Sequence, residues 1–201
     1  FILSRTLFKS DLKNFFNRLA PDWMDEDELA PVRDEIVRRS ALSENRIILD
    51  AGCGKGVMVP HLLSTNPSRL LELDLSDEMI RLNRLRWEYD SRISFLCDDI
   101  LTADLPVPDA VFIFNAYPHL LDKTALAKKL SDLLPADGTV VIAHSSGKDF
   151  INQIHHDSGT CEMISIPLKS PLEEYEPYGK YFSLTDWEDS DRLYYMKLTR
   201  K

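Results

Sequence analysis

The sequence has 201 residues, a formal net charge of −9 and 44% hydrophobic residues. That suffices for a single domain with a sizeable core, while the acidity disfavours phosphate backbones, so nucleic acid is not an expected partner. No apolar run approaches the ~18 residues of a membrane span, and no basic leader ahead of an apolar core marks a secretory signal, so no membrane partner and a cytoplasmic location are expected.

In chain order, residues 7–19 carry Phe8, Leu12, Phe15, Phe16 and Leu19 at helical spacing. Pro21 ends that helix. A second helix follows, with Pro31 in its first turn, Leu29, Val32, Ile36 and Val37 inward, and Arg38-Arg39 at its carboxyl end. The pattern then alternates. Ile47 to Asp50 is a short apolar run that suits a buried strand, and a turn with Gly52, Gly54 and Gly56 follows. A helix is expected over 57–63, a strand over 70–74, and a helix from an N-cap at Ser76 to about Tyr89. Strands at 93–97 and 110–115 come next, then a helix over 124–134, closed by Pro135-Ala136-Asp137-Gly138. A strand over 139–144 and a helix around 148–156 complete the alternation.

Residues 157–180, with Pro167, Pro171 and Pro177, are expected to be irregular. Two β-rich runs, 181–186 and 193–198, joined by Glu188-Asp189-Ser190-Asp191, should pair antiparallel. The expected class is α/β: a Rossmann-like, doubly wound, seven-stranded mixed sheet, with five parallel βα units, a terminal antiparallel hairpin and N-terminal capping helices. The expected organisation is one domain over 1–201. It has a helical cap or lid at 1–45, a cofactor-binding core at 46–156, a substrate-side insert at 157–180 and the hairpin at 181–201. Arg81, Arg84, Arg86 and Arg92 fit a solvated helix face. The chain opens on Phe1 rather than Met, so residues are expected to precede it.

Strand, glycine-rich turn and helix together bind nucleotide-like ligands at the carboxyl end of a parallel sheet. Gly52-x-Gly54-x-Gly56 is one residue tighter than the dinucleotide pattern, and the P-loop's Gly-Lys-Ser/Thr is absent. Acidic or amide residues close successive strands: Asp74, Asp98-Asp99 and Asn115. Asp74 lies at the distance from the turn where a carboxylate accepts ribose hydroxyls.

These residues carry a resemblance. Leu49 to Gly56, Leu73-Asp74-Leu75-Ser76, Phe95 to Ile100, Asp109 to Asn115 and Leu133 to Thr139 resemble, in order, the motifs of class I S-adenosylmethionine-dependent methyltransferases. The resemblance implies S-adenosylmethionine as cofactor. Gly52, Gly54 and Gly56, with Ala51 and Cys53 between and beside them, would line its methionine part, and Asp50 would hold its amino group. Asp74 would bind the ribose, Leu75, Asp99 and Ile100 the adenine, and Asn115 would sit near the methionine or the methyl group. An acidic pocket suits a sulfonium cation.

Methyl transfer is an in-line displacement, to which a protein contributes mainly by positioning. A base is needed only when the acceptor must lose a proton. The candidate catalytic histidines are His119, past strand four, and His144, at the end of strand five; His155 is a candidate substrate-side residue. Phe16 and Trp23 would form a lid beside the sulfonium, with Tyr117 nearby. Tyr175, Tyr178 and Tyr181 of the insert would complete the acceptor pocket. No metal is expected, because His144, His155 and His156 match no ligand spacing. The three cysteines, Cys53, Cys97 and Cys161, form no CxxC pair, so neither a disulfide framework nor a cysteine zinc site is expected.

The expected function is methyl transfer to a small-molecule acceptor. The alternatives are a protein or RNA acceptor, a non-catalytic cofactor-binding regulator and a nicotinamide-dependent reductase. No Asn-Pro-Pro-Tyr/Phe signature follows strand four. The oligomeric state is open.

Overall fold

A computed structural model describes residues 2–23, 27–157 and 164–201. Cys161 lies outside them. Helix α1 (Ile2–Leu19) begins five residues before the expected 7 and ends in a 3-10 turn, Ala20–Asp22, that carries Pro21. Helix α2 (Ala30–Ser40) starts with Pro31 in its first turn and stops where Ala41 takes a left-handed conformation at φ 56°. Its Ile36 and Val37 are buried.

The sheet is assembled from β1 (Ile47–Ala51), β2 (Arg69–Asp74), β3 (Ile93–Cys97), β4 (Ala110–Phe114), β5 (Thr139–His144), β6 (Phe182–Ser190) and β7 (Leu193–Arg200). The spatial order is β3-β2-β1-β4-β5-β7-β6. The first five are parallel, and β7 lies antiparallel between β5 and β6. Both faces of the central strands are covered, which is why they read as continuous apolar runs. Leu49, Leu71, Val111 and Val140 pack on one side with Leu126 and Leu130 of α5 (Lys123–Leu133). Ile48, Leu70, Phe112 and Val141 pack on the other with Ile36 of α2 and Leu62 of α3 (Val59–Leu63). Helix α4 (Asp77–Trp87) is capped by Ser76, whose hydroxyl accepts from the Met79 amide at 3.1 Å. Helix α6 (Lys148–Asp157) follows β5. No helix among the described residues is long and apolar enough to cross a membrane.

Two expectations need correction. The segment expected to be irregular holds helix α7 (Pro171–Glu174) and a 3-10 turn, Glu176–Tyr178. Proline at the first helical position and a Ser170/Glu173 capping box start α7 where prolines alone read as loop. The run Glu188 to Ser190 is strand rather than turn. It belongs to the edge strand β6, where alternate side chains face solvent, so polar residues do not end it.

Candidate active site

Strand order reverses between β1 and β4, and such a reversal opens a crevice at the strands' carboxyl ends. A cavity of about 1280 Å³ lies there. β1 delivers Asp50 and Ala51 to its wall, and the chain then turns. The Gly52 and Cys53 amides donate to the Leu73 carbonyl at 2.8 and 3.1 Å. Gly52 sits at φ +75°, and a Cβ there would lie 2.5 Å from the Ala116 side chain. Only glycine allows β1's turn and the loop after β4 to meet so closely.

Asp74 locks the turn from the next strand. Its Oδ2 accepts from the Gly54 amide at 2.9 Å and its Oδ1 from the Ser76 amide at 2.8 Å. Each oxygen keeps a second lone pair, and the side chain lines the cavity. Burial raises its pKa, and these backbone amides oppose the rise. Asp50 is buried, and neither of its oxygens has a hydrogen-bond partner. Burial first, and the charge of Asp74 second, push its pKa up. A buried carboxylate left without a donor is a receptor for a cation that donates hydrogen bonds.

Leu75, Asp98, Asp99 and Ile100 continue the wall. Asp99 accepts from the Leu101 amide at 2.9 Å and pairs with Lys9 at 3.1 Å. Asn115, at φ +52°, also lines the cavity and exchanges hydrogen bonds with Ser145 at 3.1 and 3.3 Å.

The opposite end is walled by aromatic and aliphatic side chains. The Phe16 ring stands edge-on to the His119 ring at 5.0 Å and to Trp23 at 6.2 Å. Leu120, Leu121 and Lys123 extend this wall. His119 Nδ1 lies 2.9 Å from the Ile164 carbonyl, which can only accept, so Nδ1 carries the proton. Burial lowers the His119 pKa to about 4, so its Nε2 is a weak acceptor at neutral pH.

Several expected site residues lie elsewhere. Gly56 does not reach the cavity; a Cβ on it would fall 2.3 Å from Asn83 Oδ1, so its bareness serves the approach of α4 to the turn. Tyr117 is fully buried and turned from the cavity, its hydroxyl donating to Glu174 Oε2 at 3.1 Å. Its ring belongs to the core on α5's side of the sheet. His144 is buried behind the wall against Tyr194, with burial lowering its pKa to about 3. It is a core histidine and does not line the cavity. His155 is not on the wall but packs on His119, ring to ring at 5.1 Å. Tyr175, Tyr178 and Tyr181 likewise do not line the cavity. Cys53 lines it, and burial holds its thiol protonated. Among the described residues no three of His, Cys, Asp and Glu are grouped so as to hold a metal ion.

Two residues escaped the sequence reading. Glu72 faces Asp50 across the β1–β2 register, fully buried, with Asn83 Nδ2 donating to its Oε2 at 2.7 Å. An acid inside the apolar run Leu70 to Leu73 was the signal. Lys123 occupies the first turn of α5, where the helix dipole disfavours a cation; that misplacement was its signal.

A five-stranded parallel sheet with a terminal antiparallel hairpin, a glycine turn against an unpaired buried acid, and a second acid at the end of β2 define a class I S-adenosylmethionine-dependent methyltransferase. A family profile described as "Methyltransferase domain" matches residues 48–138. A relative, a ubiquinone biosynthesis O-methyltransferase from Coxiella burnetii, is 22% identical over 194 residues, covering 92% of this chain and 82% of that protein. Two solved structures share the fold. The magnesium protoporphyrin IX methyltransferase from Synechocystis, with bound S-adenosylhomocysteine, superposes with a TM-score of 0.70 at 16% identity, covering 96% of this chain and 100% of that one. The N-methyltransferase NodS from Bradyrhizobium japonicum, also with S-adenosylhomocysteine, gives 0.69 at 14% identity, covering 96% and 98%.

Proposed function

We propose that this enzyme methylates a small-molecule acceptor bound between the lid formed by Phe16 and Trp23 and the segment His119 to Lys123. The carrying observation is the division of the cavity. Its β1–β3 end bears Asp50, Asp74, Asp98 and Asp99, and its other end is walled by Phe16, Trp23, Leu120 and Leu121. The first end suits a cofactor with an ammonium, a ribose and a sulfonium; the second suits a compact apolar body. The name of the Coxiella relative supports the same acceptor class.

S-adenosylmethionine supplies a methyl group on positively charged sulfur. Within this reading Asp50 takes the ammonium, Asp74 the ribose hydroxyls and Asp99 the adenine amino group, with Leu75 and Ile100 against the ring. Gly52, Ala51, Cys53 and Gly54 let the methionine part approach the main chain, and Asn115 bounds the transfer position. Phe16 and Trp23 exclude water, and His119, neutral and fixed by Ile164, shapes the acceptor side. Residues 1–45 act as the lid of a single domain, and 157–180 support the acceptor end through Ile164.

The test is product formation from fractionated cell extract supplied with labelled S-adenosylmethionine. Label should enter low-molecular-weight compounds. Label confined to protein or RNA fractions would overturn the acceptor class.

A further inference from the structure

Glu72 stands behind the cavity rather than on its wall. It is paired in register with Asp50 across β1 and β2, neighbouring strands ~4.8 Å apart. Side chains of a strand alternate between faces, and Ile48 and Leu70, two residues before each acid, pack on the same side of the sheet. The two carboxyl groups therefore share one face, side by side, and both are buried. Both oxygens of Asp50 and Oε1 of Glu72 have no hydrogen-bond partner. Glu72 Oε2 accepts from Asn83 Nδ2 at 2.7 Å. Nδ2 also lies 3.4 Å from the Gly54 carbonyl, which can only accept, so this end of the Asn83 amide is the donor. Among the described residues, the other titratable groups facing the pair are the Asp74 carboxyl from β2 and the Cys53 thiol from the glycine turn, and neither is a cation.

Two carboxylates this close in an apolar interior do not both keep their charge, and a buried oxygen without a donor is costly. The cofactor's ammonium can reach Asp50, which lines the cavity, but not Glu72. We infer that Glu72 is a positioning residue for the cofactor: as a neutral carboxyl, its Oε1–H donates to one oxygen of Asp50 and turns the other towards the ammonium. The inference rests on the methyltransferase reading and adds to it a residue that acts through Asp50. The proton sits on Oε1 because Asn83 holds Oε2 as an acceptor.

Without a ligand Asp50 is neutral as well, since burial first and the Asp74 charge second raise its pKa. Cofactor binding is then an exchange. Asp50 gives one proton to solvent, the ammonium enters with all its hydrogens, and the net charge of the floor is unchanged. Affinity should rise about tenfold per pH unit up to the raised Asp50 value and flatten above it.

The test uses the full chain with S-adenosylhomocysteine as probe. Wild type, E72Q and E72L are compared by calorimetry in buffers of different ionisation enthalpy and by infrared difference spectroscopy. The wild type should release about one proton per ligand at neutral pH, and its complex should keep the carbonyl stretch of a protonated carboxyl. E72L offers Asp50 no donor and should bind about 10–100-fold more weakly. E72Q, whose amide can donate to Asp50 and accept from Asn83, should recover most of that loss while removing the infrared band. An anionic Glu72 attracting the ammonium would instead leave E72Q as weak as E72L. Thermal unfolding without ligand shows whether each variant is folded; should E72L not fold, the band in the wild-type complex and its loss in E72Q decide alone. E72L with wild-type affinity, E72Q as weak as E72L, or a wild-type complex without the band would each overturn the role of Glu72. Failure of the wild type to bind S-adenosylhomocysteine would instead overturn the cofactor site, and this proposal with it.

Discussion

Asp50 and Glu72 sit opposite each other on adjacent strands, both fully enclosed. Burial is the first cause, and the neighbouring acid's charge the second, of a raised pKa at each: Asp74 for Asp50, and Asp50 for Glu72. An acid whose pKa rises on folding holds its proton more tightly in the native state. Its stability contribution is therefore full below the ordinary carboxylate range and is lost as pH rises towards the raised value. Glu72→Gln keeps the acceptor for Asn83 and removes one ionisation. It should stabilise the ligand-free protein at neutral pH by about 1–3 kcal/mol and change little at pH ~4. Urea unfolding at the two pH values checks this; an equal effect at both would show that folding does not shift the Glu72 pKa. Asp74 and the glycines were legible in the sequence because strand-end acids and a bare turn are local patterns. Tyr117 and His144 misled for one physical reason: a residue's position at a strand end does not say which side of the sheet its ring takes. Both are core residues.

At the scale of elements, Arg39 at the end of α2 ties the cap to the sheet edge. Its Nε and Nη2 donate to both oxygens of Asp186 at 2.9 and 2.8 Å, and Nη1 donates to Glu188 at 2.6 Å. The guanidinium lies over the Tyr195 ring at 4.2 Å. Arg39 is well covered and Asp186 partly so, which makes this fork stronger than a surface pair. Arg39 lowers the Asp186 pKa, so this contribution is present above the ordinary carboxylate range and fades as pH falls through the depressed value. Arg39→Met should cost about 1–3 kcal/mol at neutral pH, and the deficit should shrink in acid, as read by thermal unfolding. A deficit independent of pH would assign the loss to packing on Tyr195. The sequence showed α2 and its basic end but not this fork, because the partners sit roughly 150 residues away on a strand whose acids read as turn. Helix α7 was hidden similarly: three prolines suggested loop, while one of them starts the helix.

For the whole molecule, the sheet explains why one cavity serves two ligands. The β1–β4 reversal opens the crevice, the first three strands deliver acids to one end, and α1 closes the other with Phe16. The −9 net charge therefore has a local counterpart where a cationic cofactor belongs. The mixed sheet with its terminal hairpin and the acid-lined floor were readable from the sequence, whereas the spatial order of the strands comes from the fold. The acceptor end was not, because its wall joins residues from α1, the turn after β4 and α5, which only the folded chain brings together. The central claim, that the Asp50–Asp74 floor holds S-adenosylmethionine, is tested most directly by calorimetric titration of the wild type and Asp74→Ala with S-adenosylhomocysteine and with NADH. The wild type should bind one S-adenosylhomocysteine, with affinity weakened by about 5–150-fold in Asp74→Ala through loss of about 1–3 kcal/mol, and should not bind NADH. Tight NADH binding without S-adenosylhomocysteine binding, or equal S-adenosylhomocysteine affinity in both proteins, would contradict it.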